Sequence, residues 1–146
     1  MPLTPVDYSR TVIYKLQHIE DESLLYVGST TDFTRRKCQH KSHCTNINSK
    51  EYNHKKYQMI RDNGGWDMFS MVEIEEYPCR NSKEARRRED QLMRQMKCNM
   101  NSNKAYRTPE ERLDYRTCLK NKNKNYQNMM NKNNNNLIRT LPKKNN

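Results

Sequence analysis

The sequence predicts a small α/β domain, a short sheet covered by helices, followed by a basic segment outside its core. Three observations carry that expectation. Apolar residues alternate at 11–18 and strand-like runs follow at 24–28 and 68–77; capped helical patterns fill the gaps; and the composition changes near residue 104. The chain of 146 residues suits one domain with length to spare.

In TVIYKLQH, 11–18, Val12, Tyr14 and Leu16 share one strand face. IEDES is a polar turn, and LLYVG at 24–28 returns as a second strand. Gly28 permits a tight change of direction, or close approach by a ligand or neighbouring backbone. STTD offers N-caps for a first helix over 32–41, on which Phe33, Arg36 and His40 share a face. A second helix over 52–62 carries Tyr57 and Ile60 on one side and ends at Gly64 and Gly65. MFSMVEIEEY, 68–77, reads as the third strand, and Asn81 with Glu84 reads as a capping box for a helix reaching Met96. The order β-β-α-α-β-α implies one core.

Residues 104–146 hold eleven Lys or Arg against three Asp or Glu, so most of the formal charge of +11 lies there. Such a segment attracts phosphate backbones without reading sequence, or simply aids solubility. RTPEERLDYR starts a short helix, whereas 121–136 holds nine Asn and lacks the apolar mass to fold alone, so disorder is expected beyond the helical start. No apolar run approaches a membrane span and no secretion signal is seen, which points to an intracellular protein, cytoplasmic or nuclear. Cys38, Cys44, Cys79, Cys98 and Cys118 are odd in number and scattered, as reduced thiols are.

Glu89 is the residue that breaks a pattern. It fills the step between Ala85 and Leu92 on the apolar stripe of the third helix, while Arg86, Arg87 and Arg88 face elsewhere. A buried carboxylate needs a cation, a metal ion or an opening to solvent. A structural ion pair or a rim position meets the same need. Arg36 and His40 lie beside the strand face that carries Tyr14, with Tyr26 on the neighbouring strand, so these groups and Glu89 could converge on one sheet surface. Each also has a plain reading: strand tyrosines, a solvated helix arginine, a histidine capping a helix C-terminus.

In order along the chain, these residues resemble the GIY-YIG nuclease family. Val12-Ile13-Tyr14 is similar to its first signature and Tyr26-Val27-Gly28 to its second. YVGSTTDFTRRKCQH, 26–40, resembles its strand-to-helix segment, with Arg36 at the essential arginine and His40 at a histidine of many homing-type members. YQMIRDNGGWDMFSMVEIEEY, 57–77, resembles its second helix, glycine turn and third strand, and Glu89 in RREDQLM matches its metal-binding glutamate. Val12 stands where the family has glycine, and Leu92 where an aromatic residue is frequent. A metal-assisting asparagine has two candidates, Asn101 first and Asn103 second. The TPEE segment and Lys/Asn-rich tail are similar to small members found in large DNA viruses.

The resemblance implies a three-stranded antiparallel sheet flanked by helices, with a nuclease domain at 8–103 and a basic tail at 104–146. It implies hydrolysis of DNA phosphodiesters by a monomer, with DNA as the one predictable partner and no membrane. Glu89 and waters would hold Mg2+, or Mn2+. Arg36 would stabilise phosphoryl charge, Tyr14 would activate water, Tyr26 would position it, and His40 would orient Tyr14 or carry a proton. Arg35, Lys37, Lys41, Lys120, Lys122 and Lys124 are candidates for nucleic-acid contact. Two other readings stay open: a non-catalytic DNA-binding module, and a zinc site of Cys38, His40, His43 and Cys44, whose spacing is compressed.

Overall fold

Three antiparallel strands in the order β2-β1-β3 form the sheet: β1 (Val12–His18), β2 (Leu25–Thr30) and β3 (Phe69–Glu76). The structure is a computed structural model describing residues 3–139, with side chains described to residue 135. Residues 140–146 of the expected tail lie outside the described residues. The expected three-stranded antiparallel sheet flanked by helices is the architecture found.

α1 (Phe33–Thr45) and α2 (Lys55–Asp62) belong to the sheet face that carries Tyr14, Leu16 and Tyr26. α3 (Ser82–Gln95) covers the opposite face, where Ile13 and Val27 meet Leu92. Instead of one core there are buried clusters on both faces. Strand alternation explains this: Ile13 is fully buried on one face and Tyr14 on the other, so the central strand β1 has no solvent face there. The register of β1 against β3 shifts between Ile13 and Tyr14.

The helix signals lie where the sequence puts them, with boundaries moved. Asp32 caps α1 through a 3.0 Å bond from the Arg35 N–H, and α1 runs past residue 41 because Cys44 still has a core to enter beside Tyr57 and Ile60. α2 starts at Lys55 rather than 52, and Gly64 and Gly65 follow it with φ of +98° and +86°. Asn81 accepts from the Glu84 N–H at 3.0 Å, but Glu84 reaches back to the Arg80 N–H instead of completing a capping box.

The outer edge of β2 is covered by the segment after α3. Asn99 Oδ1 accepts from the Leu25 N–H at 3.2 Å and the Met100 N–H donates to the Leu25 carbonyl at 3.1 Å. Asn101 uses both ends of its amide on Val27, accepting from its N–H at 3.2 Å and donating to its carbonyl at 2.9 Å. These bonds satisfy an otherwise open strand edge.

The chain divides into two compact units, the second starting at Arg107. In that unit α4 (Pro109–Arg139) is one continuous helix, longer than the short helical start expected for the tail. Thr108 and Glu111 form a reciprocal capping box at 3.2 and 3.0 Å, Pro109 takes the first helical position, and no Gly or Pro interrupts the sequence until Pro142. Nearly all its described side chains are exposed. Among the described residues, no helix is long and apolar enough to cross a membrane.

Candidate active site

With its start fixed at Asp32, α1 presents Arg36 and His40 one turn apart towards β1. The Arg36 Nε–H donates to the Tyr14 hydroxyl at 3.2 Å, and that hydroxyl shares a 2.7 Å hydrogen bond with His40 Nε2. His40 Nδ1 makes a further bond of 2.8 Å to the Tyr57 hydroxyl on α2. Tyr26 completes the group, its ring 6.3 Å from that of Tyr14 and 5.8 Å from His40. The chain Arg36–Tyr14–His40–Tyr57 therefore links β1, α1 and α2. His40 is completely buried within α1, so the reading of it as a C-terminal cap does not hold.

Gly28 is opposite Tyr14 in the β1–β2 register, and β2 continues through it without turning. What approaches Gly28 closely is a side chain, the Tyr14 phenol. A Cβ there would lie 2.5 Å from its oxygen.

Glu89 comes from the other side of the sheet. Ser29, on the α3 face of β2, donates its hydroxyl to Glu89 Oε2 at 2.6 Å. The groups thus do not converge across a single sheet surface. They meet around the outer edge of β2, with the tyrosines, Arg36 and His40 from one face and Glu89 from the other. Tyr26, Ser29, Arg35, Arg36, Arg86 and Glu89 line one cavity of about 450 Å³. A second, of about 270 Å³, shares Tyr26 and Glu89 and adds Lys56 and Asn101. Tyr14 is fully buried behind Tyr26.

Burial sets the electrostatics. It pushes the Glu89 carboxyl above the usual carboxylate range, against the Ser29 hydrogen bond and the charges of Arg36, Arg86 and Lys56. Burial also raises Tyr14, which the charge and hydrogen bond of Arg36 oppose, and raises Tyr26 well above an ordinary phenol. Burial, with Arg36 and Lys56 nearby, lowers His40 to about 2, so its imidazole is neutral at physiological pH. One ring nitrogen then donates and the other accepts, so a single tautomer choice governs both tyrosine bonds.

The sequence reading overlooked several contributors. Arg86 was expected to face elsewhere, yet it lines the cavity with Glu89; Arg88 does turn away, to an ion pair with Glu75, and Arg87 meets Tyr106. Ser29, Lys56 and Tyr57 were not singled out. Asp90 is more buried than Glu89 and satisfies itself with Arg94 at 2.8 Å, an i,i+4 pair visible in the sequence. Of the contact candidates, Arg35, Lys37 and Lys41 are exposed on α1, and Lys120, Lys122 and Lys124 on α4. Asn103 is exposed beside the second cavity.

Among the described residues, no group of three His, Cys, Asp or Glu side chains could hold a metal. For the zinc reading, Cys38 is exposed and Cys44 buried, His40 bonds both tyrosines, and His43 is bound to Ser49 at 2.7 Å. A hydrated magnesium ion makes a smaller demand. One carboxylate that burial leaves short of compensation, opening on a polar cavity, fits a hard cation that keeps its waters.

His40 makes a prediction about stability. It is neutral in the fold, while the unfolded chain takes up a proton below about 6.5. Its contribution is therefore complete above that pH and lost as pH falls towards its folded value of about 2. Urea unfolding between pH 7 and 5 should lose stability with a slope approaching about 1.4 kcal/mol per pH unit. His40→Gln should flatten the slope, and an identical slope in the variant would rule His40 out as its source.

A family model described as the GIY-YIG catalytic domain matches residues 10–103, which spans the sheet, α1 to α3 and the cavity-lining Tyr26, Ser29, Arg35, Arg36, Lys56, Arg86, Glu89 and Asn101. Neither the curated proteins nor the solved structures yield a match. With most of the chain matched and the expected sheet and helices in place, this protein belongs to the GIY-YIG family.

Proposed function

We propose that this chain is a divalent-metal-dependent endonuclease hydrolysing DNA phosphodiesters at the outer edge of β2. One observation carries the reading: Glu89, held above its ordinary pKa by burial, lines the same cavity as Arg36 and Tyr26. Glu89 would hold Mg2+, or Mn2+, and the metal would supply positive charge beside a nonbridging phosphate oxygen. Arg36, oriented by Tyr14, places a guanidinium where phosphoryl charge develops. Tyr26 faces the cavity and positions the attacking water. Tyr14, buried behind Tyr26, takes the water's proton through the Tyr26 hydroxyl as its own moves to His40 Nε2, with Nδ1–H turned to Tyr57. A phosphodiester anion beside Arg36 offsets part of the positive charge that disfavours a protonated His40. Asn101 holds the β2 edge in place through Val27.

The nuclease domain is taken as 8–103 and the basic segment as 104–146. One copy supplies every group named, so a monomer suffices, acting where DNA is present inside a cell. The Lys/Asn-rich segment supports placement among the small members carried by large DNA viruses. Purified protein should cut DNA when tested on linear, nicked, supercoiled and branched forms. Chelation should stop cleavage, and Mg2+ or Mn2+ should restore it. Binding without cleavage under every metal would leave a DNA-binding module instead; cleavage indifferent to chelation would remove the metal from the reading.

Truncation after Asn103 should weaken DNA binding and reduce the slope of log K against log salt, because eleven Lys or Arg are removed. Turnover on saturating DNA should change little. An unchanged salt slope would show that the basic segment does not contact DNA.

A further inference from the structure

Lys56 is a costly place for a cation. It is the second residue of α2, where the helix dipole disfavours positive charge, and its side chain is partly buried. No carboxylate lies within 4.0 Å of its ammonium among the described residues. Its Nζ stands instead over two rings, 4.7 Å from the centroid of Tyr26 and 5.0 Å from that of Tyr57. Lys55 beside it points outward to the Asn99 carbonyl at 3.1 Å.

The two cavities give this position its meaning. Arg36 lines the larger and Lys56 the smaller, and Tyr26 and Glu89 line both. A phosphodiester held beside Glu89 and Tyr26 would have Arg36 on one side and Lys56 on the other. Resting on the nuclease reading above, we propose that Lys56 is a further catalytic residue, which touches the leaving oxygen of the scissile phosphodiester and gives it a proton. Water oxygen bonds to phosphorus, and the water's proton passes through the Tyr26 hydroxyl to Tyr14, which gives its own to His40 Nε2 and recovers it when His40 releases a proton after the product leaves. The P–O electron pair passes to the leaving oxygen, which takes a proton from the Lys56 ammonium. The resulting amine is reprotonated from solvent.

The surroundings suit that task. Burial, then the positive charge of Arg36, lowers Lys56 to about 8, and the carboxylates of Glu51 and Glu89 oppose the shift. His54 and Lys104 also border its cavity, and Tyr26 and Tyr57 pack on it. The group is thus charged near neutral pH and a stronger acid than an ordinary lysine.

The test compares wild type with Lys56→Met on two DNA substrates, one normal and one whose leaving oxygen is replaced by sulfur. A thiolate leaves without needing a proton. On normal DNA the variant should cut about a hundred-fold more slowly, and on the sulfur substrate its rate should come within a few-fold of wild type. A defect equal on both substrates would make Lys56 a phosphate-binding or packing residue and overturn the proposal, as would a variant that cuts normal DNA at the wild-type rate. Wild type that cuts neither substrate would instead defeat the nuclease reading itself. Thermal unfolding and DNA affinity of the variant report separately on folding and binding.

Discussion

Glu89→Gln should lower DNA cleavage by about a thousand-fold or more while leaving the fold intact or firmer. The substitution keeps shape and the ability to accept from Ser29, but removes the negative charge required to hold a divalent cation. Because burial raises the folded pKa of Glu89, the carboxylate costs the fold free energy whenever it is ionised. The sign follows from linkage. Stability from this group is complete below its unfolded pKa of about 4.3 and is lost as pH rises through the higher folded value. The glutamine variant escapes that loss, so it should be the more stable protein at pH 7 and should lose its advantage towards pH 4. Thermal unfolding in metal-free buffer measures this. Adding Mg2+ should then raise the melting temperature of wild type and leave the variant unmoved. If Mg2+ stabilises both equally, Glu89 does not hold the metal.

That pairing of a destabilising charge with a proposed catalytic one explains why Glu89 could be read from sequence at all. A carboxylate on an apolar helical stripe conflicts with its local pattern, and such conflicts mark functional positions. Arg36 and His40 were visible for a related reason, since Asp32 fixes the helix start and hence the face both occupy. Lys56 and Tyr57 were not visible as site residues. In the sequence Lys56 is an unremarkable polar residue on a short amphipathic helix, and only the packing of α2 against Tyr26 buries it. Arg86 was misjudged because the stripe of Glu89 was assumed to be entirely buried, whereas Glu89 opens on a cavity that the exposed Arg86 also lines. The same assumption made one sheet surface carry the whole site. Strand alternation indicated the three strands well, but it could not say that both faces of β1 would be covered, because that depends on where the helices dock.

Gly28→Ala should be the most damaging conservative change on the sheet. An alanine in a strand interior normally gains stability over glycine, by roughly 0.5–1 kcal/mol. Here the added Cβ would lie 2.5 Å from the Tyr14 oxygen and 2.7 Å from its Cζ. The phenol has nowhere cheap to go, since it is fully buried against Phe33, Tyr26 and His40. Moving it by about an ångström stretches its bonds to His40 and Arg36, now 2.7 and 3.2 Å. Overpacking of this kind costs about 1–3 kcal/mol, so the sign of the stability change reverses. Displacing the residue that aims Arg36 should also slow cleavage a hundred-fold or more. Tyr14→Ala supplies the control: with the phenol gone only the Tyr26 ring edge remains close, at 3.0 Å, so most of the cost of Gly28→Ala should disappear. Additive stability losses in that double-mutant cycle would mean that Gly28 is small for some reason other than the Tyr14 phenol.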